Sequence, residues 1–213
     1  MKKIPKFLTV SVVVVVVLII TLVIGSAVSD YFVLGELSSK KQAQRDSDVV
    51  AEFNGVKITK ADVEIETEVN KLMYIAEEKS ESDVLKDLLL KEICLVEAEK
   101  LELLATSEEV AEFVASQKMM YEEYEEATVA IDEYCQGAGL TLEEYWTALE
   151  ERAPRIIARN EVYNKFSDEY KEEHGIEKYT ALTEKVYEEL SAAKQAYKEK
   201  LFSEYEKQIV YYD

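Results

Sequence analysis

The sharpest feature of the hydropathy pattern is the charge-free run from Phe7 to Ser29, which follows Lys2, Lys3 and Lys6. As a helix rising ~1.5 Å per residue it is about 34 Å long. That is enough for a hydrocarbon core of roughly 30 Å. The valines from Val12 to Val17 disfavour helix in water, but in lipid a helix satisfies every backbone group, so propensity yields. The pattern predicts a signal anchor or transmembrane helix over residues 1–29, with the lysines on the cytoplasmic side. The expected localisation is a single-pass protein of the cell membrane with an extracytoplasmic C-terminal domain. A cleaved signal peptide competes with this reading. Ala27-Val28-Ser29 offers the small residues a peptidase needs, whereas the length of the run, against ~7–15 residues for a signal peptide, favours a retained anchor.

Residues 30–48 read as a linker, because Glu36 to Asp48 has no apolar period to bury. Two short β-prone runs, Val49 to Phe53 and Val56 to Ile58, then flank Asn54-Gly55, the pair that supplies the positive φ angles of a tight hairpin. Beyond them the period becomes helical. Thr59 caps a helix with Asp62, and Val63, Val69, Leu72, Met73 and Ala76 mark its apolar face. A second helix starts near Ser82. Its Val84, Leu85, Leu88, Leu89, Ile93, Val96 and Leu101 make it the most apolar of the body and the candidate core centre. Thr106 with Glu109 forms a T-x-x-E capping box and opens a third helix, expected to run almost to Cys135. Gly137 and Gly139 break it. Thr141 with Glu144 repeats the box, and Pro154 is expected to kink or end the helix that follows. A last helix from about Tyr179 to Lys207 carries the stripe Leu182, Val186, Leu190, Ala193, Tyr197, Leu201 and Tyr205, which docks on the domain or pairs with another chain. The expected fold is mainly α: a transmembrane helix, then a helical domain over 49–175 with a small N-terminal β-hairpin, and a long C-terminal helix over 176–213.

Composition supports this outline. There are 6 Gly and 2 Pro, too few for a many-turned β-architecture, and 48% hydrophobic residues, too many for a disordered chain. The formal net charge is −19, and the N-terminal segment contributes only lysines to it. A body this acidic repels nucleic acid and anionic lipid. Cys94 and Cys135 lie in no CxxC pair, which argues against redox catalysis. An exported location permits a disulfide, but Cys94 among leucines packs as a small hydrophobe, and two free or buried thiols are slightly favoured.

No P-loop, dinucleotide fingerprint or nucleophile elbow is present, so no cofactor and no catalytic residue is expected. His174, the single histidine, has no second ligand at metal spacing and sits where a helix end would use it. Glu122, Glu123, Glu125 and Glu126 lack the loop glycine of a calcium site and read as a solvated helix face. Of the 14 Tyr, 6 Phe and 4 Met, Met119, Met120, Tyr121 and Tyr124 combine flexible and aromatic contacts and form the candidate binding surface.

The stretch from Val49 to Asp62, with its Asn54-Gly55 turn and polar-capped helix, resembles the opening of the chaperone domain of SurA/PrsA-type foldases. The order that follows is also similar: Glu97-Ala98-Glu99-Lys100-Leu101, then Thr106 to Val110, then Gly139-Leu140-Thr141-Leu142-Glu143-Glu144-Tyr145. The likeness covers Val49 to Gly175. Members of that family usually carry a parvulin-type prolyl isomerase domain, which is rich in glycine and uses buried histidines. The residues after Gly175 contain neither, so isomerase activity is not carried over. The resemblance implies non-catalytic, chaperone-like binding of unfolded or secreted polypeptides, here anchored at the membrane. The alternative is a structural or adaptor protein that meets a specific membrane or envelope partner, or another copy of itself, through the C-terminal helix.

Overall fold

The computed structural model describes residues 28–43, 48–72, 79–176 and 183–212. Among these are seven α-helices: α1 (Val28–Ala43), α2 (Lys60–Leu72), α3 (Glu81–Lys100), α4 (Ser107–Glu123), α5 (Glu125–Ala138), α6 (Leu142–Glu173) and α7 (Glu184–Tyr205). Three short strands join them: β1 (Val49–Phe53), β2 (Val56–Thr59) and β3 (Val210–Tyr211).

The helix starts follow from local chemistry. Ser80, Thr106 and Thr141 each accept a hydrogen bond from a backbone N–H three residues on, and Asp83, Glu109 and Glu144 each return one, completing three capping boxes. Thr59 and Asp62 do the same before α2, the Thr59 N–H lying 2.9 Å from the carboxylate. The hairpin turn has φ of 50° at Asn54 and 77° at Gly55. These are the two positive angles that a two-residue turn needs to follow the strand twist.

The core is centred on α3. Leu89, Ile93, Val84 and Cys94 are fully buried, along with Val162 of α6 and Leu201 of α7. Ala51, Phe53 and Ile58 of the hairpin join the same cluster. Tyr205 of α7 packs edge-on against Phe53 at 5.8 Å and donates its hydroxyl to Glu97 of α3 at 2.7 Å. A second cluster of Phe113, Val114 and Ala153 lies between α4 and α6. Helix α6, 32 residues long, therefore serves both clusters.

Several expectations are corrected. No helix among the described residues is long and apolar enough to cross a membrane, which overturns the transmembrane helix and the single-pass placement. The anchor assigned to Phe7 to Ser29 lies outside the described residues up to Ala27. Its last two residues begin α1, which at 16 residues and with Asp30 in its first turn rises only ~24 Å. The supposed linker over 30–48 is largely this helix, with Tyr31 and Leu37 buried. Helix α1 packs along α5 and also touches α2.

The expected third helix is two helices broken at Tyr124, which is extended at φ −121° and ψ 118°. Thr128 Oγ1 holds the reversal by donating to the Tyr121 carbonyl at 2.6 Å and meeting that of Tyr124 at 3.2 Å. Gly137 lies inside α5, and only Gly139, left-handed at φ 68°, ends it. Pro154 does not end α6. Glu150, whose carbonyl Pro154 cannot serve, is exposed, so solvent is free to satisfy the vacant acceptor. The C-terminal stripe docks on the domain: Leu190, Leu201 and Tyr205 are buried, and Tyr197 stacks on Phe166 of α6 at 4.4 Å. Leu182 lies outside the described residues. Beyond α7 the chain adds β3 to β1, giving a three-stranded sheet in the order β2-β1-β3 in place of a bare hairpin.

Candidate binding surfaces

The four residues singled out for binding sit at the end of α4 and the reversal into α5, but they do not behave alike. Met119 and Tyr124 are 41% and 49% exposed, and Val129 on the first turns of α5 adds 42%. Met120 and Tyr121 are half-buried. The Tyr121 ring packs edge-on against Trp146 at 5.8 Å, and its hydroxyl donates to Asp132 at 3.0 Å. That acceptor holds the phenol above its usual range. Tyr121 therefore braces the reversal, while Met119 and Tyr124 face solvent. Glu122, Glu123, Glu125 and Glu126 around them are exposed, as a solvated rim requires.

A groove of about 390 Å³ runs between the hairpin, α3 and α6. Leu95, Val96 and Ala158 line it, and Val56 and Leu104 at its edge are 37% and 55% exposed. Arg155 closes one side through two 2.7 Å hydrogen bonds to the Glu92 carboxylate. Sequence reasoning missed this groove because its walls come from three separated segments. Leu104, apolar just past the end of α3, is the one local signal of it.

The candidate chemical groups take structural roles. Cys94 and Cys135 are both free and buried. The Cys94 thiol donates to the Tyr163 hydroxyl at 3.1 Å, and burial pushes both thiols above their usual range. His174 stacks on Tyr170 at 4.0 Å, with Nδ1 2.8 Å from the Tyr170 carbonyl at the end of α6. Among the described residues no group of three or more His, Cys, Asp or Glu is placed to hold a metal ion.

Half-buried phenols give the fold a defined alkaline limit. Burial pushes Tyr145 and Tyr197 up to about 12, and Tyr163 higher still, with the Cys94 thiol as its second cause. Unfolded tyrosines ionise near 10. A folded-state value raised above the unfolded one contributes stability that is complete below pH ~10 and falls as pH rises toward 12. The unfolding midpoint is therefore expected to decline over that interval, and part of the tyrosinate absorbance of the folded protein to rise only near pH 12. A single group near 10 in the folded protein would contradict the burial.

No family model, curated protein or solved structure matches this chain.

Proposed function

We propose that the protein binds non-native segments of other polypeptides through shallow apolar contacts, without catalysis. The observation that carries this reading is the exposure of Met119 and Tyr124 at the α4–α5 reversal, within a rim of carboxylates. Exposed methionine and tyrosine adapt to many apolar partners. The acidic rim favours basic segments and keeps the protein itself from associating. The order of hairpin, capped helix and T-x-x-E helix starts, which underlies the resemblance to SurA/PrsA-type chaperone domains, supports the same reading. The stripe of α7 that would serve an adaptor is turned inward onto α3 and α6, which favours chaperone-like binding over that alternative.

The test is titration of the full chain into a permanently unfolded reporter, following binding and light scattering, with an equally acidic helical protein as control. Binding and suppressed aggregation beyond the control are expected. A side chain that serves as a central anchor of an interface costs more than ~1 kcal/mol when truncated. The paired change Met119→Ser and Tyr124→Ser is therefore expected to weaken binding by ~10-fold or more. Binding no better than the control would end the proposal.

A further inference from the structure

A cleft of about 260 Å³ lies where α1, α5 and α6 meet. Its walls are apolar, with Ile131 from α5 and Leu149 and Ile156 from α6. Tyr31, Tyr134 and Tyr145 also line it, and among the described residues Arg152 is the one charged residue that does.

Arg152 differs from its neighbours on α6. Arg155 is held by Glu92, and Arg159 donates Nε to the Arg155 carbonyl at 3.1 Å. No ion pair or hydrogen bond among the described residues engages Arg152, which is exposed and lines the cleft. In a chain with 44 acidic and 25 basic residues, an arginine that no carboxylate among the described residues pairs stands out beside an apolar cavity. No hydrogen bond among the described residues uses the Tyr134 or Tyr145 hydroxyl either; both rings are held edge-on to each other at 5.7 Å.

We propose that this cleft binds small monocarboxylic acids with an apolar body, the carboxylate on Arg152 and the body between Ile131, Leu149 and Ile156. A guanidinium presents a planar fork that matches one carboxylate. A ligand of higher charge would need more donors than one arginine supplies, and would be repelled by the net charge of −19. The volume sets the size of the body: ~150 Å³ is enough for benzene, so this cleft takes a ring or a chain of about six to eight carbons.

The inference does not rest on polypeptide binding, and its test leaves the α4–α5 reversal untouched. The full-length chain is titrated with octanoate, octanol and octylamine, read by calorimetry and by fluorescence. Trp146, the only tryptophan, lies 4.9 Å from Tyr145 and reports on the cleft. Octanoate is expected to saturate the signal, with octanol and octylamine ~10-fold weaker or worse, as loss of a charge-assisted hydrogen bond implies. Arg152→Gln, an exposed position, is expected to reduce octanoate to the level of octanol. Ala148→Phe, which fills the cleft, is expected to remove both. Equal affinities for octanoate and octanol, an unchanged octanoate affinity in Arg152→Gln, or no saturable binding of octanoate would each overturn the assignment.

Discussion

Replacing Gly137 with alanine is expected to destabilise the protein and loosen α1, although the same change in a helix interior ordinarily helps by roughly 0.5–1 kcal/mol. A Cβ at Gly137 would stand 1.9 Å from the carbonyl oxygen of Phe32 and 2.8 Å from its carbon. A Cβ at Gly35, on the facing helix, would stand 2.2 Å from the Tyr134 carbonyl oxygen. These are backbone atoms, which cannot swing aside as a side chain would, so one helix must move bodily. Overpacking of this kind costs about 1–3 kcal/mol, occasionally more, and so outweighs the gain in propensity. Valine at either position should be worse than alanine. The expected result is a lower midpoint of urea unfolding and proteolytic cutting that begins within α1. Gly139→Ala is the useful contrast. It meets nothing within 4 Å but sits at φ 68°, so its cost is the ~1–2 kcal/mol of a left-handed residue and α1 stays protected. A stabilised Gly137→Ala would show that the two backbones are not in contact.

Leu89→Ala is expected to have the largest effect of any single truncation. Leu89 has no exposed surface and packs within the cluster formed by α3, the hairpin, α6 and α7. Removing a leucine from such a site costs about 2–5 kcal/mol, the spread reflecting how far the cavity collapses. Because domains of this size are stable by only ~5–15 kcal/mol, the variant should lose a large part of its stability. The midpoint in urea should fall with the slope unchanged, the mark of lost stability without a change in the surface exposed. Leu104→Ala, at 55% exposure, should shift stability by less than ~0.5 kcal/mol. Comparable losses at both positions would mean that the core is not centred on α3.

How far the fold was legible depended on whether its cause was local. The capping boxes at Thr59, Thr106 and Thr141, the Asn54-Gly55 turn and the leucine-rich α3 all announce themselves within a few residues. The break at Tyr124 does not, because no glycine or proline marks it. The chain turns on the Thr128 hydroxyl, which competes for the carbonyls of Tyr121 and Tyr124. Helix α1 carries the pattern of a linker because its contact with α5 is made by glycine and backbone, which leaves no apolar period in the sequence. Gly35 and Gly137, taken as a pair, were the available signal. Strand β3 is two residues long and becomes a strand only through β1. Of the binding surface, Met119 and Tyr124 were legible as adaptable side chains, whereas the bracing role of Tyr121 needed Asp132 and Trp146 to come near. The cleft at Arg152 draws on three helices, one of them α1, and could not be seen before α1 was.

The pairing of β3 with β1 bears on how the chain is made. Tyr212 donates its hydroxyl to Glu52, 160 positions earlier, and its N–H to the Val50 carbonyl at 3.1 Å. At a synthesis rate of about 5–20 residues per second, the ribosome needs roughly 8–30 s to deliver the third strand after the first. Over that interval β1 has a bare edge, and Phe53 has no Tyr205 to cover it. The nascent chain thus presents an unpaired strand edge and an uncovered aromatic face, the features of an aggregation-prone folding intermediate. For those seconds it is itself in need of the kind of protection proposed here as its function.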